Sequence, residues 1–485
     1  MLAALYVERA RPLSAAVLPA APDISRDGNE SRIMSPVPSY TYQTVLMGSD
    51  IVLKFYERQD IIARQAFLLI KNWEDRLTVN RCAGSGSVSE IAAVNAAAGQ
   101  RPVKVKPEVF ALLQQAQKVG LYEGSCFNFA IGPIVKAWNI GFARAHIPLP
   151  AEIAALLPLS NPHAVILNAG DCSVFLPQRG MALDLGAIAK GFIADCVKSF
   201  LQKSGVKAAL INLGGNIHSL GAPKAALPAG ESDKGLKNWR VGLQKPFASR
   251  HNVLGLIHMA GKSVVTSGIY ERYFMSGGDE QKNNRDYAAA MAAAIQTGAR
   301  PDRAEEEKAV IEAAARGRAR EHSSGGRMAE IAVPAVFGER QLAAAVKPAL
   351  HSLESLPSAK RQSDGKAAFY HHIFDPCTGY PLHNDLMSVT IISDKSVDGE
   401  IWTSLLYGFG LEKALKFLRH RANSGRRPDS EKGNEPGSVA SSIPLPAIEA
   451  IFVTKDKRII IPKAESFRFE LLDKSYQLIE GDTAA

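Results

Sequence analysis

The chain has 485 residues, 46% of them apolar and 22% charged, so it can bury a sizeable core and is neither a disordered nor a fibrous sequence. Its formal net charge of +9 suits an anionic ligand, but much of the surplus sits in RANSGRRPDSEKG and ARGRAREHSSGGR, which lack interleaved aromatics, so no nucleic-acid partner is expected. The five cysteines, Cys82, Cys126, Cys172, Cys196 and Cys377, are widely spaced with no CxxC, which argues for a reducing compartment rather than a zinc site or a disulfide framework.

Residues 1 to 40 are rich in Pro, Ser and Ala and read as a flexible segment. Pro12 and Pro19 interrupt any apolar run there, so the expected location is cytoplasmic; organelle targeting is the alternative, because Arg9, Arg11 and Ser14 accompany a single acid, Glu8. No run approaches the length of a membrane span. A domain over 41 to 480 opens with TYQTVLMGSDIVLKFYE, whose alternation predicts two strands with a turn at Gly48 to Asp50. Helices are predicted in IARQAFLLIKNWEDRL, in VSEIAAVNAAAG, and from Pro107 to Gly120. Strands and helices then interleave, which makes the class α+β with mixed sheets and packed helices. Composition shifts mark loop insertions near 221–237, 277–366 and 422–442, and AIEAIFVTKDKRIIIPK reads as a closing hairpin with its turn near Lys455 to Lys457.

The most informative stretch runs from Met181 to Gly221. Ile188, Phe192, Cys196 and Phe200, with Ile193, Val197 and Leu201, recur at three- and four-residue steps, and Gly205 stands where a left-handed C-cap is wanted. The apolar run after it reads as a central strand ending on Gly214 and Gly215, whose missing side chains let a ligand reach the backbone beside Asn216. Lys190 falls in the first turn of the helix, where the macrodipole disfavours a cation by up to about 1 kcal/mol. A bound phosphate removes that conflict; an ion pair with Asp184 is the alternative.

Three further segments carry reactive groups. In VVTSGIYERYF, Tyr270 and Arg272 are placed on one face of a strand by the two-residue period, where Arg272 could hold a phosphate bidentately or form a cross-strand ion pair. In YHHIFDPCTGYPL, Asp375 suits the start of a tight turn, while His372 could act as a general base, bind a ligand or pack. His371 is read as its neighbour on the opposite face. SVDGEIWTSLLYG supplies acids and hydroxyls on a predicted helix.

MALDLGAIAKGFIAD followed by INLGGNI resembles the central signature of the ApbE-type flavin transferases, which move FMN from FAD onto a protein. VVTSGIYERYF, YHHIFDPCTGYPL and, more weakly, CFNFAIGPIVKAW resemble further blocks of that family in the same order. The resemblance implies an ApbE-like fold, Mg2+ as cofactor, FAD as substrate and a target flavoprotein carrying a flavinylation-type Ser/Thr as partner. The expected reaction is transfer of FMN to that hydroxyl with release of AMP; FAD pyrophosphatase activity and non-catalytic flavin delivery are the alternatives.

By matched position, the resemblance assigns flavin binding to Met47, Phe127, Asn128, Asp184, Lys190, Gly214, Gly215, Asn216, Ser267, Tyr270, Arg272, His372 and Ile373. It assigns a backbone-carbonyl metal ligand to Ala187. The acid and hydroxyl ligands fall in SVDGEIWTSLLYG, where two pairs are open. Asp398 and Thr403 match by letter but lie five apart, about 140° around a helix, unless Asp398 precedes it. Glu400 and Ser404 have the four-residue spacing that keeps both on one face. His372, Asp398 and Thr403 are the catalytic candidates. Relatives commonly carry an Asp and a Thr in the weaker block, where this chain has Asn128 and Ala130.

Overall fold

Nine strands in the order β1-β2-β6-β7-β10-β13-β14-β15-β17 form the main sheet, antiparallel throughout except for the parallel pair β15–β17. They are β1 (Tyr40–Leu46), β2 (Ser49–Phe55), β6 (Ala209–Leu213), β7 (Asn216–Leu220), β10 (Ser263–Gly268), β13 (Leu386–Ser393), β14 (Ile448–Thr454), β15 (Arg458–Ile461) and β17 (Gln477–Glu480). Three smaller sheets pair β16 (Phe467–Leu471) with β9 (Val253–Met259) and β8 (Trp239–Gln244), β11 (Tyr273–Ser276) with β12 (Ala368–His371), and β3 (Val103–Lys104) with β5 (Ser173–Phe175) and β4 (Ile166–Asn168). This computed structural model describes residues 39–80, 88–122, 124–142, 144–223, 238–249, 252–276, 368–424 and 446–481. The expected N-terminal segment and most of each expected insertion lie outside them.

The opening hairpin turns on two residues, Met47 and Gly48, both at positive φ, with Leu46 paired to Ser49. The turn therefore lies one position earlier than Gly48 to Asp50. Two left-handed residues twist the chain as the flanking strands require. Helix α1 (Asp60–Leu77) buries Ala63, Ala66, Ile70, Trp73 and Leu77 along one stripe. Helix α2 (Glu90–Ala96) is capped by Ser89, whose hydroxyl accepts the Ala92 amide at 2.9 Å, and α3 (Pro107–Gly120) starts on its proline. Two short helices follow, α4 (Gly132–Trp138) and α5 (Pro150–Leu156).

Helix α6 (Ala189–Lys203) ends in a Schellman motif: Gly205 has φ +81°, and the Val206 amide bonds the Leu201 carbonyl at 3.0 Å. Its apolar face packs against α1, against β6 and β7, and against α7 (Ser396–Ser424), which is broken at Gly410 by a φ of +71°. All eight residues of β13 are buried, so both faces of the sheet are covered at its centre. Val265 and Ser393 face α7 at Gly399, which puts Ser263, Val265 and Ser267 on the helical face and Thr266 on the other, where it bonds Thr390. A second apolar cluster surrounds Trp138, Tyr370 and Phe374, and Trp138 Nε1 donates to the Gly379 carbonyl at 2.8 Å. The closing hairpin turns at Lys457, φ +63°, as its sequence suggested. Among the described residues no helix is long and apolar enough to cross a membrane.

Candidate active site

The signature turn from Asp184 leads into α6 by a local mechanism. Asp184 Oδ1 accepts the Gly186 amide at 2.7 Å, an Asx-type turn that leaves Gly186 and Ala187 exposed ahead of the helix. Lys190 is thus the second residue of α6, which has no acid in its first turn. It forms no ion pair within 4 Å with Asp184 or any other acid among the described residues. The alternative role as Asp184's partner is not realised.

Gly191 lets the beginning of α7 come close. A Cβ there would lie 2.5 Å from the Ser396 carbonyl oxygen and 2.7 Å from Glu400 Cγ. This approach brings Glu400, buried on α7, beside the start of β7, where Asn216 Nδ2 donates to Glu400 Oε1 at 2.8 Å. Ser396 Oγ donates to Asn216 Oδ1 at 2.6 Å, which fixes the orientation of the amide. One turn further on, Ser267 Oγ donates to Thr403 Oγ1 at 2.8 Å, and Thr403 in turn donates to the Glu400 carbonyl at 3.0 Å. The Ser404 hydroxyl bonds the same carbonyl at 3.2 Å.

Burial raises the Glu400 carboxyl above its ordinary range; Lys190, the Asn216 amide, Arg272 and the Gly191 backbone amide act in the opposite direction. The carboxylate is therefore surrounded by positive and donor groups that only partly offset its desolvation. Asp398, by contrast, lies inside α7, in its first turn, and not in a loop before it. Five helical residues turn it well away from Thr403. The carboxylate on the Thr403 side is Glu400, so the helix unites one member of each expected acid/hydroxyl pair.

The HHIF segment separates its two histidines by function. His371 is buried; its Nε2 donates to the Leu382 carbonyl at 2.9 Å and its Nδ1 accepts the Ile373 amide at 3.2 Å. Burial pushes its pKa down to about 3, so this ring is a neutral structural bracket. His372 Nδ1 meets the Arg272 carbonyl at 3.0 Å; a carbonyl only accepts, so the proton is on Nδ1 and the Nε2 lone pair is left available. Burial first, then the Arg272 charge, holds His372 well below the ordinary imidazole range. Asp375 is structural, as expected: Oδ1 accepts the Cys377 amide at 2.9 Å and Oδ2 the Thr378 hydroxyl at 3.0 Å.

Tyr270 and Arg272 correct the strand reading. Both lie in the turn between β10 and β11, not on a strand, and they part company there: Tyr270 is buried against Gly268, whereas Arg272 is exposed with its stem against Gly141. Gly214 and Gly215 form the two-residue turn of the β6–β7 hairpin, with φ of +64° and +100°. Their first purpose is that geometry, and Gly214 faces Ser49 closely, while a Cβ on Gly215 would meet nothing within 4 Å. Met47 is half-buried in the neighbouring turn, its amide bonding Glu74 at 2.9 Å. Phe127 is core, and Asn128 is satisfied by the Ser160 carbonyl at 2.7 Å and the Ala130 amide at 2.8 Å.

The structure thus gathers Lys190, Asn216, Ser267, Arg272, His372, Glu400, Thr403 and Ser404 around the adjoining ends of α6, β7 and α7. Two residues there went unread in the sequence. Asp195 accepts the Ser396 and Val397 amides at 2.8 and 3.0 Å, and Ser396 orients Asn216. Asp195 closes the segment MALDLGAIAKGFIAD and sits four residues after Gly191, on the same helical face, which are the sequence signals pointing to it. Among the described residues no three His, Cys, Asp or Glu side chains come together as a metal cluster.

The fold is α+β, with a carboxylate and hydroxyl cluster near Lys190 and Arg272. The ApbE family model matches residues 47–294 and 303–425, and the chain belongs to that family. A protein named FAD:protein FMN transferase from Klebsiella pneumoniae (strain 342) is 37% identical over 92% of this chain and 99% of its own length. One of the same name from Treponema pallidum (strain Nichols) is 28% identical over 85% of this chain and 83% of its own. Among solved structures, the ApbE protein of Thermotoga maritima has a TM-score of 0.54 at 17% identity, covering 88% of this chain and 97% of that one. The flavin transferase ApbE of Vibrio cholerae has a TM-score of 0.52 at 17% identity, over 91% and 99%. The fold is shared with both.

Proposed function

We propose that this chain transfers FMN from FAD to a Ser or Thr hydroxyl of a target flavoprotein, with Mg2+ bound and AMP released. The observation that carries the reading is Lys190 in the first turn of α6, without an acidic partner among the described residues, near Arg272 and a buried Glu400. Lys190 would bind the diphosphate of FAD at the start of α6, and Arg272 would clamp a second phosphate oxygen.

The donor set fits a hard divalent cation. It is all oxygen, with one carboxylate, two hydroxyls and, by its place in the signature turn, the Ala187 carbonyl. A buried carboxylate disfavoured by its own desolvation is also one that a cation would stabilise. When bound, Mg2+ neutralises charge on the phosphate oxygens. Glu400, Thr403 and Ser404 would hold it, and Asp398 is left as an acid favourable to the α7 dipole.

The acceptor oxygen attacks the FMN phosphorus, its proton passes to His372 Nε2, and the bond to the AMP phosphate breaks. Burial, with the Arg272 charge beside it, would keep His372 neutral and able to take that proton near pH 7. Asp184, Gly215, Asn216 and Ile373 would line the flavin nucleotide site, with Met47 at the neighbouring turn. The enclosed chain from 41 to 480 would act as one catalytic domain.

The test is to incubate the purified protein with FAD, Mg2+ and an acceptor carrying a flavinylation-type Thr, and to weigh the acceptor. A gain of one FMN with AMP in solution is expected. AMP with free FMN and an unchanged acceptor would replace this reading with a pyrophosphatase; intact bound FAD would replace it with flavin delivery.

A further inference from the structure

We infer that Asp195 is a positioning residue that aims Glu400, acting through the first turn of α7. Its side chain does not belong to the expected ligand set, yet it governs the helix that carries Glu400, Thr403 and Ser404. The inference rests on the reading of Glu400 as a site residue.

The geometry is a connected series of bonds. Helix α7 begins at Ser396, and its leading amides have no intrahelical acceptor. Asp195, projecting from α6, takes two of them: Ser396 N to Oδ1 at 2.8 Å and Val397 N to Oδ2 at 3.0 Å. This is an N-cap supplied by another helix rather than by the residue before the turn, and a carboxylate is the group that can accept both amides at once. From the capped turn, Ser396 Oγ reaches Asn216 Oδ1 at 2.6 Å, and Asn216 Nδ2 reaches Glu400 Oε1 at 2.8 Å. Ser396 has no exposed surface and Asn216 only 3%, so neither side chain can exchange these partners for water.

The consequence is directional. With its oxygen engaged by Ser396, the Asn216 amide can only present N–H to Glu400, and that bond selects which Glu400 oxygen remains for another partner. The buried His218 closes the back of the arrangement, with Nε2 3.1 Å from Asp195 Oδ1, so Asp195 cannot swing away toward β7. Gly191 completes the fit, since α6 must stay within contact of the Ser396 carbonyl for Asp195 to reach the amides. Supports of this kind around site ligands typically matter by about 10- to 100-fold in activity or metal affinity.

Asp195→Asn keeps the size but replaces one acceptor with a donor that opposes an amide. In the ligand-free protein, hydrogen exchange of the 396–404 segment is expected to accelerate about 10-fold or more while the sheet amides stay protected. In the same variant, AMP release at saturating FAD is expected to fall about 10- to 100-fold, with the FAD KM within about twofold and the Mg2+ half-saturation raised. Ser396→Ala tests the series one step on: it should lower kcat similarly without loosening the α7 turn, and Ser396→Thr should restore it. Unchanged exchange and unchanged kcat in Asp195→Asn overturn the inference. So does loss of protection across the whole sheet together with loss of activity, unless Ser396→Ala, folded, still shows the kcat loss. If the wild-type protein releases no AMP, the transferase reading falls, but the exchange arm still decides whether Asp195 anchors the turn.

Discussion

The Asn216 amide donates to Glu400 Oε1 across 2.8 Å, joining residues 184 positions apart in the sequence. That bond ties the strand after the signature helix to the helix bearing the acid and hydroxyls, and the close approach at Gly191 makes it possible. Several measurable outcomes depend on it.

Glu400→Gln separates stability from activity. Burial raises the Glu400 carboxyl in the folded protein. A group raised on folding contributes stability below its unfolded value, near the ordinary carboxyl range, and loses it as pH rises through the folded value. At pH 7.5 the ionised group is therefore a cost that glutamine removes. The ligand-free variant should unfold in urea with stability greater by about 1 kcal/mol at pH 7.5, and the gain should vanish near pH 4. Its transfer activity should drop about 100-fold or more. A variant less stable than wild type at pH 7.5 would contradict this account of the carboxylate.

Gly191→Ala and Gly205→Ala are both replacements of glycine around α6, and they should fail for different reasons. A helix-interior alanine normally gains about 1 kcal/mol over glycine. At position 191 the new Cβ would meet the Ser396 carbonyl and Glu400 Cγ at 2.5 and 2.7 Å, so overpacking by about 1–3 kcal/mol wins and activity falls with it. At position 205 nothing lies within 4 Å, but φ is +81°, so the loss is about 1 kcal/mol from the left-handed backbone, with kcat unchanged. Thermal melts paired with steady-state assays distinguish the two.

The adjacent histidines give opposite readouts. For His371, folded at about 3 against an unfolded value near 6.5, the unfolded chain binds the extra proton between those values. Stability from the neutral ring is present above about pH 6.5 and is lost as pH falls toward 3, by an amount on the order of a few kcal/mol. His372, also lowered, adds to the same slope. Urea midpoints measured from pH 7 to 4 should fall accordingly, and less steeply in His371→Leu, which starts from a lower value. Activity should behave otherwise: His372→Ala should lose about 100- to 10,000-fold in kcat. Arg272→Gln should move the acid limb of the profile toward neutrality, since the Arg272 charge is among the causes that lower His372.

Local features of this fold were legible and non-local ones were not. The stripe on α6, the glycine at its C-terminus and the hairpins around Met47–Gly48 and Lys457 are set by spacing and turn chemistry within a few residues. The same holds for Asp375, whose partners are two and three residues away. Tyr270 and Arg272 were misplaced because a period of two says nothing about where a strand stops, and β10 stops at Gly268. The choice between Asp398 and Glu400 stayed open for the same reason, since the relation of each to Thr403 depends on α7 beginning at Ser396. The role of Asp195 could not be read because its partners lie 201 and 202 residues away. The parallel pairing of β15 with β17 likewise leaves no local trace.

Lys190→Ala tests the anion reading at its source. The lysine occupies the first turn of α6, where the helix dipole opposes it by a few tenths of a kcal/mol, and no acid pairs with it among the described residues. Removing it relieves that opposition but also takes a cation away from the buried Glu400, so the two effects offset and the ligand-free protein should change in stability by less than about 1 kcal/mol. The same change should weaken FAD binding about 10- to 100-fold, because a phosphate would lose a charge-assisted bond in a partly desolvated site. Calorimetric titration with FAD, and with inorganic pyrophosphate as the bare anion, measures both. If Lys190→Ala lowers the melting temperature of the ligand-free protein by several degrees while FAD affinity holds, the lysine is a structural group and the phosphate belongs elsewhere.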